Sequence, residues 1–165
     1  MNSKERILQW ARPEIVALKP YQSARQEFVN DGREMILLDA NENPFNSEVN
    51  RYPDPLQGKL KKRLAEAKGL ESDQIYLGNG SDEVLNQLII AFCQPAKDKA
   101  LLLPPTFGMY QVCADINGVE TIAVPLTKNF QLDVAGILKA QDKRAKMIFI
   151  PSPNNPTGNC FDRSD

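Results

Sequence analysis

The sequence has 165 residues, of which 42% are hydrophobic and 25% are charged, and its formal net charge is -1. This composition is typical of a soluble globular protein, and it excludes the strongly basic field with which many proteins bind nucleic acid or acidic membranes. The N-terminal stretch MNSKERILQWARP contains no apolar segment of a secretory signal. The longest apolar run, LIIAFC at residues 88–93, is too short to span a bilayer.

Cysteine and histidine usage narrows the possible chemistry. The 3 cysteines are widely spaced without a CxxC pair, and the chain has no histidine. We therefore predict a reduced, cytoplasmic protein in which Cys93 and Cys113 are core residues and Cys160 lies in a loop. The lack of histidine excludes a Ser-His or Cys-His nucleophile pair and most zinc sites, so no metal site is predicted.

The first predicted helix follows about 50 residues that show no long periodic element. Asp54 and Pro55 form a good helix start, and Gly69 is a typical helix end. The apolar positions between them recur every three or four residues and predict one inward face, made of Leu56, Leu60, Leu64 and Ala67.

From there on, apolar strands alternate with helical patterns. The predicted strands lie in QIYLGNG, ALLLPPT, ETIAVPL and KMIFI, and the predicted helices in SDEVLNQLIIAFC, FGMYQVCADING and DVAGILKAQ. Alternation at this spacing predicts an α/β fold with a parallel sheet covered on both faces. Ligands bind such sheets at the carboxyl ends of the strands, where the loops GNGSDE, PPTFGMY and PSPNNPTG are expected.

The loop PSPNNPTG combines an asparagine pair with prolines at positions 151, 153 and 156. Because proline restricts the backbone, we expect the prolines to hold this loop rigid. An asparagine on such a loop presents a fixed amide that is both donor and acceptor. The alternative is that Asn154 and Asn155 both serve turn geometry.

The stretch GNGSDE at residues 78–83 opens a predicted helix. It is not a dinucleotide fingerprint, because Glu83 replaces the third glycine, and it is not a Walker loop. Free N–H groups and the helix dipole still favour a phosphate at such a position. A simple N-cap formed by Ser81 is the alternative.

The loops GNGSDE, PPTFGMY and PSPNNPTG, in this order along the chain, resemble those of the fold-type I pyridoxal-phosphate (PLP) aminotransferases. The motifs LKPYQSARQE, LLDANENP and NRYPDP are similar to the histidinol-phosphate aminotransferase family within that group. The resemblance covers nearly the whole chain and implies a three-layer PLP-binding large domain built on a parallel sheet. It assigns residues 1–50 to an N-terminal arm and substrate-side segment, and 51–165 to the N-terminal part of the large domain.

The resemblance also implies roles for individual residues. Asn155 matches the asparagine that hydrogen-bonds the phenolic oxygen of PLP, which leaves Asn154 mainly to loop geometry. Phe107 matches the aromatic residue that stacks on the pyridine ring. Ser81 and Asp82 match the helix-start pair whose N–H groups bind the PLP phosphate.

Three further matches lie near the N-terminus. Tyr52 matches a tyrosine that reaches the phosphate of the partner subunit's cofactor, which implies a homodimer. Tyr21 and Asn41 match positions on the substrate side. The implied substrates are a small-molecule amino donor and a 2-oxo acid, namely histidinol phosphate and 2-oxoglutarate, which would yield imidazole acetol phosphate and glutamate. Neither nucleic acid nor a membrane is an implied partner.

The family's Schiff-base lysine and the arginines that hold its substrate have no counterpart here. We therefore expect a truncated, N-terminal part of such an enzyme, inactive alone and with no catalytic residue of its own. Three alternatives stay open: a related PLP aminotransferase or phosphothreonine-type decarboxylase, a non-catalytic phosphate-binding α/β fragment, and a structural fragment without a ligand.

Overall fold

A computed structural model of the chain describes residues 3–21, 36, 38–45 and 47–162. The chain divides into two compact units, the first formed by residues 1–17 and 78–165 and the second by residues 18–77. The domain boundary predicted near residue 50 falls inside the second unit, and the assignment of arm and large domain stays a prediction. None of the helices in the described part of the chain has the length and apolar character needed to cross a bilayer.

The described helices and strands are short and follow one another with brief connections. The helices are α1 (Ser3–Leu8), α2 (Pro13–Val16), α3 (Gly58–Lys68), α4 (Gly80–Phe92), α5 (Met109–Ile116) and α6 (Val134–Ala140), with a 3-10 turn at Ser72–Gln74. The strands are β1 (Lys99–Leu102), β2 (Glu120–Ala123) and β3 (Ala145–Ile148). They form a parallel sheet in the order β2-β1-β3, which confirms three of the four predicted strands.

Both faces of the sheet are covered, as predicted. Ala100 and Leu102 point to one side, where they pack in a core with residues of α4 and α5. Leu101 and Leu103 point to the other side and pack against Ile137 of α6. Alternate residues of a strand face opposite sides of a sheet, so a run such as ALLL must be apolar throughout to serve both cores. The result is a three-layer α/β/α arrangement.

The first-predicted helix, α3, differs from expectation at its start and on its buried face. The carboxylate of Asp54 accepts the N–H groups of Leu56 at 2.9 Å and Gly58 at 2.8 Å, and the helix begins only at Gly58. These hydrogen bonds lower the pKa of Asp54, and the bond from Gly58 has the largest effect. The predicted inward face is wrong, because Leu56 and Leu60 are exposed and the buried residue is Ala65.

The strand predicted in QIYLGNG is also wrong. Residues 75–77 form no ladder with any strand that the structure describes, and Tyr76 is exposed. A strand is stable only where a neighbour pairs with its N–H and C=O groups, and a sequence pattern does not report whether that neighbour is present. The predicted helix end at Gly69 is confirmed, with φ at +66°.

The N-terminal segment holds two helices that the sequence pattern did not indicate, and Arg12 fixes them to α4. The backbone N–H of Arg12 donates to the carbonyl of Ala91 at 2.8 Å, and its Nη1 donates to the carbonyl of Ile90 at 3.0 Å. The last carbonyls of a helix have no partner within the helix. Arg12 therefore caps the C-terminal end of α4 with a charged group, which the helix dipole also favours.

We predict that Arg12→Met lowers the free energy of unfolding by about 1.5–3 kcal/mol, the usual contribution of a hydrogen bond from a charged group. The Arg12 side chain is 19% exposed, whereas that of Arg63 on α3 is 84% exposed. Arg63→Met is therefore the matched control, and urea denaturation should show almost no change for it. Equal losses for both variants would contradict the capping role of Arg12.

Candidate active site

Two loops leave the same edge of the sheet, at the carboxyl ends of neighbouring strands. Residues 103–107 follow β1 and residues 149–159 follow β3. The two strands are parallel, with Leu101 opposite Ile148, and the N–H of Phe149 donates to the carbonyl of Leu101 at 3.2 Å. The loops therefore start side by side at the edge where α/β sheets bind ligands.

Asn154 joins these two loops through its side chain. It is 2% exposed, and its Oδ1 accepts the hydroxyl of Thr106 at 3.0 Å. Its Nδ2 donates to the carbonyl of Pro105 at 2.9 Å and to the hydroxyl oxygen of Thr157 at 2.7 Å. Its backbone N–H donates to the carbonyl of Asn159 at 2.8 Å, which closes the loop on itself.

These bonds confirm that Asn154 serves loop geometry. The sequence analysis expected the prolines to hold this loop rigid. The structure shows a second contribution, because the buried amide of Asn154 forms hydrogen bonds to the β1 loop as well as to its own loop. Thr106 and Thr157, which contribute hydroxyl groups to this arrangement, were missed by the sequence analysis. Their side chains gain meaning only once the two loops lie together, so no local sequence signal could have identified them.

Asn155 is the neighbour of this buried residue and has the opposite surroundings. It is exposed, and its side-chain amide makes no hydrogen bond within the described part of the chain. A polar amide on a fixed backbone, with donor and acceptor both available, is suited to bind a ligand atom. The role of Asn155 as a cofactor ligand stays a prediction.

Phe107 lies where the β1 loop enters α5. Its ring contacts Tyr110 edge to face, with the centroids 5.7 Å apart and the planes at 87°. Tyr110 in turn stacks on Phe149, with the centroids 4.6 Å apart. Phe107 is half-buried, so one part of its ring packs on the core while the rest is accessible. The ring is therefore held in one plane by the aromatic row beneath it.

The start of α4 forms the third part of the edge. The N-cap position is Asn79, so the alternative that Ser81 caps this helix is wrong. Gly80 has φ at +77°, a conformation that favours glycine, and the carboxylate of Glu83 accepts the N–H of Asn79. In the first turn, the N–H groups of Ser81 and Asp82 have no acceptor among the described residues. Such free N–H groups are the usual means by which a helix start binds an anion.

The sequence analysis noted Glu83 only because it replaces the third glycine of a dinucleotide fingerprint, and it assigned no role to the side chain. It lies four residues after the N-cap Asn79, one residue beyond the position that a capping box uses, so that sequence signal did not identify it. By accepting the Asn79 N–H group, Glu83 fixes the turn that presents Ser81 and Asp82.

The start of α4 and the β1 loop share one core. The carbonyl of Asp82 lies 4.0 Å from the sulfur of Cys113, and Leu85 and Phe107 both pack against the cluster that contains Cys113. The pKa of Cys113 is raised, mainly by burial and further by the charge of Asp82, so the thiol stays neutral. Because α4 leads directly into β1, it runs back along the sheet, and its start lies towards the carboxyl edge.

Three predicted site residues belong to the second unit. Tyr52 is 68% exposed and Tyr21 is 88% exposed, and Asn41 is exposed as well. The remainder of the PYQSAR motif after Tyr21 lies outside the described residues. The cofactor role of Tyr52 and the substrate-side roles of Tyr21 and Asn41 stay predictions.

The turns that carry Asn41 and Tyr52 are bonded to each other. The carboxylate of Glu42 accepts the guanidinium of Arg51 at 2.9 Å and the backbone N–H of Tyr52 at 2.9 Å. Glu42 was missed by the sequence analysis, because its partners lie in a separate turn, nine and ten residues later in the chain.

Comparison with known proteins identifies the group to which this arrangement corresponds. The sequence pattern described as aminotransferase class I and II matches residues 33–165. A histidinol-phosphate aminotransferase from Flavobacterium johnsoniae is 56% identical over 151 residues, which cover 91% of this chain and 43% of the relative. The chain thus spans less than half the length of that relative.

Two solved structures share the fold. A histidinol-phosphate aminotransferase from Clostridium acetobutylicum is 28% identical with a TM-score of 0.58, and the match covers 69% of this chain and 32% of the other. One from Sinorhizobium meliloti, solved in complex with pyridoxal-5'-phosphate, is 24% identical with a TM-score of 0.59, covering 66% and 29%. These matches confirm the predicted fold class, the partial α/β sheet domain of fold-type I.

We predict that Asn154→Ala and Asn155→Ala have different effects on stability. Loss of the Asn154 amide leaves the Thr106 hydroxyl and the Pro105 carbonyl without a buried partner, which costs about 1–3 kcal/mol. Asn155→Ala removes an exposed amide and should change the free energy of unfolding by less than about 0.5 kcal/mol. Denaturant unfolding of the two variants measures both values. Similar stabilities for the two would show that Asn154 does not hold the loops together.

Proposed function

Because this chain belongs to the class I and II aminotransferases, we propose that it is the N-terminal part of a PLP-dependent histidinol-phosphate aminotransferase. In this proposal the whole protein is a cytoplasmic homodimer of histidine biosynthesis. It exchanges the amino group of histidinol phosphate with 2-oxoglutarate, giving imidazole acetol phosphate and glutamate. The observation that carries the proposal is the identity of more than half of the aligned residues with a relative of that name.

The residues at the carboxyl edge of the sheet fit PLP. The cofactor has a phosphate dianion, a flat ring and a phenolic oxygen, and it supplies the electron sink for amino transfer. Opposite these three features, the chain offers free N–H groups at the start of α4, the half-buried ring of Phe107 and the free amide of Asn155. This fit supports PLP as the cofactor.

Asn155 would hydrogen-bond the phenolic oxygen of the ring. The loop that carries it is tied to the β1 loop through Asn154, so the amide is held in place before the cofactor binds. Preorganisation of this kind avoids the entropic cost of ordering a loop on binding. Phe107 would pack on the ring face in a plane set by Tyr110.

The phosphate would lie at the start of α4. The N–H groups of Ser81 and Asp82 are without acceptors, and the turn before them is fixed by the bond between Glu83 and Asn79. The helix dipole adds to this attraction for a dianion. In the proposed homodimer, Tyr52 would donate its hydroxyl to the phosphate bound by the partner subunit.

Tyr21 and Asn41 would lie on the substrate side. Both are exposed, and both belong to the same compact unit as Tyr52. Their part would be to bind and orient the amino donor, whereas the groups of the same chain that would fix its own cofactor lie within residues 78–159.

The proposal is tested with the protein expressed from its complete gene. We expect a visible absorption band of bound PLP and turnover with 2-oxoglutarate for which kcat/KM is highest with histidinol phosphate. Aspartate, alanine and aromatic amino acids serve as competing donors. A higher kcat/KM with one of them would reassign the substrate, and the absence of a PLP band would contradict the cofactor. Residues 1–165 expressed alone are the negative control, expected to show no turnover because no lysine in them matches the cofactor lysine of the family.

The role of Asn155 is tested by Asn155→Ala in the same protein. The loss of one buried hydrogen bond to the ring should weaken PLP binding by about 1–3 kcal/mol, which is roughly five- to 150-fold in Kd. Apoenzyme titrated with PLP gives this value, and the melting temperature of the apoenzyme should be unchanged. If the variant were less stable but bound PLP normally, Asn155 would not be a cofactor ligand.

A further inference from the structure

The second unit contains a carboxylate that is almost completely buried. The side chain of Glu42, in the NENP turn, is only 4% exposed. Burial of a charged carboxylate is unfavourable unless the group is paired and hydrogen-bonded. What Glu42 is bonded to therefore indicates what this residue contributes.

Each oxygen of Glu42 has a separate partner in the NRYP turn. One oxygen accepts the Nη1 group of Arg51 at 2.9 Å, and the other accepts the backbone N–H of Tyr52 at 2.9 Å. A third bond joins the same two turns, from the side-chain amide of Asn50 to the carbonyl of Asn43 at 3.1 Å. The backbone on which Tyr52 stands is thus fixed from the NENP turn.

The side chain of Tyr52 is free of such constraints. It is 68% exposed, and its hydroxyl has no hydrogen-bond partner among the residues that the structure describes. A tyrosine has few rotatable bonds, so the position of its backbone largely decides where its hydroxyl can reach. Glu42 fixes that position and leaves the hydroxyl available.

Arg51 has a second part in this arrangement. An unpaired carboxylate next to Tyr52 would repel a phosphate dianion that approached the hydroxyl. The guanidinium of Arg51 neutralises Glu42, while remaining 58% exposed itself. The pair therefore anchors the backbone without adding net negative charge.

We propose that Glu42 is a positioning residue that directs the Tyr52 hydroxyl to the phosphate of the cofactor, by accepting the backbone N–H group of Tyr52. This inference rests on the proposed function, in which Tyr52 reaches the phosphate bound by the partner subunit. It adds a residue that touches neither cofactor nor substrate and that acts only on the phosphate-binding part of the site.

The test compares PLP with pyridoxal, which lacks the phosphate. The protein is expressed from its complete gene, and the apoenzyme is titrated with both compounds by absorbance. We expect Glu42→Ala and Tyr52→Phe each to raise the Kd of PLP about tenfold, which corresponds to about 1.4 kcal/mol, and to leave the Kd of pyridoxal unchanged. The double variant should bind PLP no more weakly than the weaker single variant, because both changes remove the same contact.

Conservative variants separate positioning from stability. Glu42→Gln keeps an oxygen acceptor for the Tyr52 N–H and should retain most of the preference for PLP over pyridoxal. Glu42→Asp keeps the charge but withdraws the acceptor by one methylene, and it should lose most of that preference. Glu42→Asp also serves if Glu42→Ala does not fold. Asp54→Ala is the matched control, since this carboxylate in the same unit accepts the backbone N–H groups of Leu56 and Gly58 and not that of Tyr52.

The outcomes distinguish the inference from the proposed function. A wild-type protein that binds no PLP, or that binds pyridoxal equally well, overturns both. A wild-type preference for PLP that survives in Glu42→Ala or Glu42→Asp, or in Tyr52→Phe, overturns the inference alone. Additive effects in the double variant also overturn it, as does an equal loss of the preference in Asp54→Ala. The inference is supported if Glu42→Ala, Glu42→Asp and Tyr52→Phe lose the preference without additivity in the double variant, while Glu42→Gln and Asp54→Ala retain it.

Discussion

The buried amide of Asn154 is the interaction on which the candidate site depends. A parallel sheet places the ends of β1 and β3 next to each other, but it does not determine the path of the chain beyond the last ladder bond. Asn154 does so by bonding Thr106 and Pro105 in one loop and Thr157 in its own. Because Asn154 is 2% exposed, each missing partner would leave a buried polar group of its amide unsatisfied, which is unfavourable.

The sheet beneath explains why such a bond can be effective. Alternate residues of β1 pack into two separate cores, so the strand cannot shift without disturbing helices on both faces. The hydrogen bonds of Asn154 to Thr106 and Pro105 are therefore formed next to the end of a rigidly held strand, β1. The aromatic row of Phe107, Tyr110 and Phe149 extends the same core up to the edge.

The sequence predicted the parts of the fold that follow from local patterns. The strands around β1 to β3 and the helix end at Gly69 were recognisable from apolar runs and from glycine chemistry. The strand expected in QIYLGNG and the predicted inward face of α3 were not found, because strand pairing and burial depend on which residues lie opposite, and a local sequence pattern does not record that. The same limit applied to Arg12, whose partner carbonyls on α4 lie almost 80 residues away along the chain.

The same limit applies to the candidate site, where motifs identify the residues expected to bind the cofactor but not the residues that support them. Asn155, Phe107, Ser81, Asp82 and Tyr52 were predicted from motifs that resemble those of the family, and their roles as cofactor ligands stay predictions. Their supports were missed or undervalued: Asn154 beside Asn155, Glu83 beside Ser81 and Asp82, and Glu42 beside Tyr52. In each case one side chain bonds the backbone or the neighbouring loop, and the residue predicted to bind the cofactor is left exposed. A polar group that satisfied the loop could not also bind a ligand, so the two tasks require two residues, and a site built this way is ordered before its ligand arrives.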